Sequence, residues 1–105
     1  MTAYELRTYY ASTGRLQDLI RRYELVTVPM LNDFGMELVG AWLSSDQSDA
    51  LVYLVRHSGD PKDAWREFLA DERWIAAVQA TEADGKLARG FESRFLTPVE
   101  ASPLR

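Results

Sequence analysis

The chain has 105 residues, of which 47% are hydrophobic and 27% charged, with a formal net charge of −4 and no cysteine. This length suits a single domain over residues 1–105 and is too short for two. The charge is spread along the chain with no basic cluster, so no nucleic acid and no membrane surface is expected as partner, and the missing cysteines exclude disulfides, thiolate metal sites and a cysteine nucleophile.

Residues 3–10, AYELRTYY, are rich in Tyr and Thr and alternate in polarity, the pattern of a half-buried strand. The N-terminus is therefore read as structure rather than as a signal peptide; no apolar run approaches a membrane span, and a cytoplasmic location is expected. Ser12, Thr13 and Gly14 close the strand. From Arg15 the period becomes helical, with Leu16, Leu19, Ile20, Tyr23, Thr27, Met30, Leu31 and Phe34 near one face. Pro29 lacks the amide that would bond to Leu25, so a kink or break is expected just before it, and Gly35 ends the helix. Residues 36–43, MELVGAWL, and 50–56, ALVYLVR, read as a hairpin joined by the polar turn SSDQSD.

After the loop HSGDP, Pro61 opens a second helical region. Its apolar stripe slips out of phase between Leu69 and Trp74, where Glu72 and Arg73 interrupt it. That slip predicts two helices meeting at a bend, with Asp71 as N-cap of the second, Trp65 on the sheet and Trp74 nearer the edge of the same core. Gly85 ends the region, residues 88–96, ARGFESRFL, give a fourth strand, and residues 97–105 form a C-terminal arm with two prolines.

The predicted order is β-α-β-β-α-β, an α+β ferredoxin-like fold with an antiparallel sheet in the order 4-1-3-2 and its helices on one face. The other face is too weakly alternating to be simply solvated, and a second copy of the chain is the expected cover.

YELRTY at 4–9, RRY at 21–23, VGAW at 39–42, LVYL at 51–54, AWREFLADERW at 64–74, EADG at 82–85 and SRFLTP at 93–98 resemble the NIPSNAP family over nearly the whole chain. The resemblance implies a dimeric α+β barrel in which two ferredoxin-like subunits place their open sheet faces together, and it implies no settled reaction. It also implies histidines where this chain has Val26 and Phe34, so chemistry by those imidazoles is absent, and an Asp-Pro-Glu-Trp where this chain has Asp71-Glu72-Arg73-Trp74.

His57, the one histidine, is weighed as a general acid or base, or as an axial haem ligand, against a loop histidine facing water, which is favoured. The sequence supplies too few imidazoles and clustered carboxylates for a metal centre, and no cofactor is expected. Tyr9, Trp42, Tyr53, Trp65 and Phe68, with Trp74, Phe91 and Phe95 beside them, are read as the lining of an aromatic pocket between helices and sheet, against the alternative of plain core. Glu5 and Arg7 on the first strand are expected to pair with Arg94 and Glu92 on the fourth, as a ladder that fixes register and dimer specificity, a reading favoured over a charged site inside the barrel. No Gly-rich phosphate loop, G-x-S-x-G elbow or H-E-x-x-H motif is present. Two functions follow: a homodimeric barrel binding an apolar or aromatic small molecule, in the manner of a cofactor-independent oxygenase or isomerase, or a noncatalytic protein-interaction or structural module.

Overall fold

The computed structural model describes residues 3–105. β1 (Ala3–Ala11) leads into α1 (Leu16–Arg22), a π-helical turn (Tyr23–Thr27), α2 (Val28–Leu31) and a 3₁₀ turn (Asn32–Phe34). β2 (Met36–Leu43) and β3 (Ala50–His57) follow, then α3 (Pro61–Ala70), α4 (Glu72–Thr81) and β4 (Ala88–Leu96). The four strands form one antiparallel sheet in the order β2-β3-β1-β4, the expected order read from its other edge. Among the described residues no helix is long and apolar enough to cross a membrane.

The first helical region does not break at Pro29. It widens by one residue, and the Val28 amide donates to Tyr23 O, an i→i−5 bond. A π turn is an economical answer to a missing amide, because the ladder is re-registered rather than interrupted. The turn keeps Tyr23 and Thr27 buried on the face that looks at the sheet. Gly35 ends the region in the left-handed conformation at φ 72°, and Ser58 donates to its carbonyl through both its amide and its hydroxyl, at 2.9 and 3.1 Å.

The second helical region bends where the apolar phase slips. Asp71, extended at φ −69° and ψ 136°, closes α3 and caps α4, its carboxylate accepting from the Arg73 amide at 2.8 Å. α3 lays Ala64 and Phe68 on the sheet, whereas α4 buries no residue fully. Both tryptophans meet on one ring: Phe68 lies 5.2 Å from Trp65 and 5.1 Å from Trp74. The core is Leu19, Tyr23, Met30, Leu31, Met36, Leu51, Tyr53, Val55, Phe68 and Leu87, all on the helix side of the sheet.

Two expectations about faces are corrected. β1 and β4 are neighbours, but Glu5 stands opposite Phe95 and Arg7 opposite Ser93, so Arg94 faces Leu6 and Glu92 faces Thr8. A shift of one residue carries a side chain to the other surface of a sheet, so Glu92 and Arg94 lie on the open face and no ladder forms with Glu5 and Arg7. Trp42 also departs from its expected place. Counting by twos from Met36 would put it over the core, but a bulge between Leu38 and Gly40 inserts Val39, and beyond it Gly40 and Trp42 pair with Leu54 and Val52 on the open face. There Trp42 is 54% exposed, and its ring lies so close to Gly40 that a Cβ at that position would meet it at 2.7 Å.

Candidate functional site

The helix-side residues of β1 are Glu5, Arg7 and Tyr9, matched across β3 by Val55, Tyr53 and Leu51 and across β4 by Phe95, Ser93 and Phe91. Alternation aims all nine side chains towards the helices. The π turn above them supplies Tyr23 and Thr27, α1 supplies Leu19 and Arg22, and the bend at Asp71 brings Trp65, Phe68 and Trp74. Between these walls lies a cavity of about 470 Å³, within the range of small-molecule sites. Tyr9, Tyr53, Trp65 and Phe68 line it, while Trp42 stands on the opposite side of the sheet. Phe91 and Phe95, more than half exposed on the edge strand β4, form part of its rim.

Its walls are stacked rings. Tyr9 lies parallel to Tyr53 at 5.8 Å and over Phe91 at 5.4 Å, and Tyr23 packs on Tyr53 at 5.0 Å. At one end sits Glu5, 1% exposed. Its Oε1 accepts from His57 Nε2 at 2.7 Å and Trp65 Nε1 at 2.8 Å, and its Oε2 accepts from Arg7 Nη1 at 2.7 Å and from the Ser93 hydroxyl. Burial alone would raise the pKa of this carboxyl, but the hydrogen bonds from His57, Ser93, Trp65 and Arg7 outweigh it and hold the group at about 2. Glu5 is an anion with every acceptor site filled, and it does not serve as a base.

Arg7 is the counter-charge, 8% exposed, its guanidinium carbon 4.0 Å from the Trp65 ring centre and 4.9 Å from that of Phe91. Its Nε and Nη2 donate to the Tyr9 hydroxyl at 3.2 and 2.5 Å. A phenol that accepts from arginine keeps its own proton for another acceptor. Burial pushes the Tyr23 hydroxyl up to about 12, and this hydroxyl has no hydrogen-bond partner.

His57 is not a loop residue facing water. It ends β3 on the helix side, 2% exposed, and lies outside the lining of the cavity, behind Glu5. Because a carboxylate only accepts, the proton of their bond belongs to Nε2, and Nδ1 is buried without a partner. Its place is that of a positioning residue, one donor of the set that fixes Glu5 and through it Arg7. Among the described residues no three His, Asp or Glu side chains are grouped to hold a metal ion. Sequence reasoning missed Ser93, and it assigned Glu5 and Arg7 to partners across the strands rather than to each other.

The fold and the cavity over its sheet define an α+β protein of ferredoxin-like topology with a site between helices and sheet. The chain belongs to the NIPSNAP family, whose model matches residues 4–103. A NIPSNAP family protein from Agrobacterium tumefaciens superposes with a TM-score of 0.83 at 19% identity, each chain covered in full. Another from that organism, of unknown function, gives 0.81 at 24% identity over 99% of this chain and 94% of its own. An antibiotic biosynthesis monooxygenase-like protein from Chloroflexus aurantiacus shares the fold at a TM-score of 0.64 and 15% identity, with 97% of each chain covered. No curated protein matches the chain.

Proposed function

We propose that this protein is a homodimeric barrel that binds an apolar or aromatic small molecule in the cavity between helices and sheet, and that its chemistry is of the cofactor-independent oxygenase or isomerase type. The observation that carries the reading is a cavity of about 470 Å³ walled by stacked aromatic rings, with an arginine and a phenol fixed at one end. A filled core of the same residues would have supported the interaction-module reading instead. Rings at 5.0–5.8 Å from one another leave flat faces on which a planar guest stacks. In a reaction without a cofactor the substrate itself must carry the electrons, and the protein's part is to hold it, exclude water and stabilise charge as it develops. Arg7 and Tyr9 are the residues placed for that charge; Glu5, His57, Trp65 and Ser93 keep Arg7 in position. The monooxygenase-like neighbour lends the reaction class some support, through a shared fold alone.

The dimer belongs to the same reading. Leu6, Val52, Leu54, Trp42 and Leu96 share the open face of the sheet, away from every helix. Two such faces packed together would bury an area on the order of 2,000 Å², typical of obligate homodimers.

The cavity is tested with N-phenyl-1-naphthylamine, a neutral aromatic fluorophore. We expect saturable binding at one site per chain with quenching of tryptophan emission, weakened by Trp65→Phe while the dimer persists. Absence of binding, or binding untouched by Trp65→Phe, would remove the cavity from the account.

A further inference from the structure

Four charged residues border the cavity, Glu5, Arg7, Arg22 and Lys62, and of the three cations Arg22 is already paired with Glu82 at 2.5 Å. Glu5 offers nothing to a ligand, since His57, Trp65, Arg7 and Ser93 occupy its acceptor sites. The other polar points are of opposite character. Of the five N–H groups of Arg7, the bonds to Glu5 and Tyr9 use Nε, one hydrogen of Nη1 and one of Nη2, which leaves one hydrogen on each terminal nitrogen. Tyr9, receiving twice from Arg7, has its own proton to give, to a guest or to the buried Tyr53 hydroxyl beside it. Tyr23, 7% exposed and lining the same space, has a hydroxyl with no partner. Everything else that borders the cavity is predominantly aromatic or aliphatic. A neutral hydrocarbon would leave these donors unmatched in a site largely shielded from water, which a bound acceptor avoids.

From this arrangement we propose that the ligand is a planar aromatic acid, an apolar ring body bearing one anionic oxygen group, carboxylate or enolate, that accepts from Arg7 and Tyr9 while its rings stack on Tyr53, Trp65 and Phe91. The proposal rests on the cavity reading above and adds the charge of the guest. The geometry supports an acceptor of two hydrogen bonds. An arginine presenting adjacent N–H groups from a fixed plane is the partner that a two-oxygen anion prefers. Trp65 covers the guanidinium at 4.0 Å and Glu5 holds one edge of it, so the cation is already desolvated and oriented before a ligand arrives.

The test compares two molecules of one shape, 2-naphthoate and 2-naphthylmethanol, as competitors of N-phenyl-1-naphthylamine. We expect the naphthoate to displace the fluorophore at about tenfold lower concentration than the alcohol, the ratio that one charge-assisted hydrogen bond supplies. Tyr9→Phe should narrow that ratio, and the double variant Glu5→Gln with Arg7→Gln, which removes both charges and leaves neither stranded, should abolish it. Equal displacement by acid and alcohol overturns the proposal and leaves the cavity reading standing. A preference for the acid that survives in both variants overturns it by placing recognition elsewhere, at Arg22 or Lys62. If the fluorophore itself does not bind the wild-type protein, both readings fall. Because the wild-type comparison decides first, the proposal remains falsifiable even if the double variant does not fold.

Discussion

Glu5 accepts four hydrogen bonds from three strands and a helix, and this explains how a carboxylate stays ionised where almost no water reaches it. Removing the anion strands Arg7, so Glu5→Gln should destabilise the protein by about 3–5 kcal/mol, measured by urea unfolding. The acid dependence has a fixed sign. The folded-state pKa lies below the ordinary 4.5, so the contribution is present in full above pH 4.5 and is lost as the pH falls towards 2. A urea midpoint that fell steadily between those values in the wild type, and much less in Glu5→Gln, would agree with this; parallel curves would not. At this scale the sequence was legible as to residue type and not as to partner. Opposite charges favoured a register of β1 against β4 that sets Glu5 against Arg94, and the observed register is offset from it by one residue. His57 looked like a loop residue because it opens HSGDP, and nothing in a single sequence says that a strand runs one residue further to meet a carboxylate 52 positions away.

Asp71 turns one amphipathic stretch into two helices, and it does so by satisfying the first amides of α4 while standing outside the helical conformation. Asp71→Ala should lower the melting temperature by about 5 °C for a domain of this size, with Asp71→Ser recovering most of the loss. Calorimetry checks this, and an unchanged melting point would mean that packing of Trp65 and Trp74 sets the bend by itself. The strands, the hairpin and this bend were readable because alternation and phase report directly on burial. The π turn and the β2 bulge were not. Each adds a residue without changing composition, and in MELVGAWL, with one charged residue in eight, no polar residue beyond Glu37 marks which face Trp42 takes.

At the scale of the molecule the open sheet face is where the proposed dimer is tested. If two copies meet there, Leu54→Glu should give a monomer in sedimentation at micromolar concentration while the wild type remains a dimer and both keep the naphthylamine site. A wild-type monomer would refute the dimer. A different consequence follows from Glu5, which ties β1 to β3 through His57, to β4 through Ser93 and to α3 through Trp65. Elements joined through one buried group open together or not at all. In native-state deuterium exchange the amides of β1, β3, β4 and α3 should therefore share a single, near-global opening free energy, and the Trp65 indole hydrogen should be protected with them. α4 has no bond to that carboxylate and no fully buried residue, so its amides should exchange earlier and as a separate unit, with the boundary falling at Asp71.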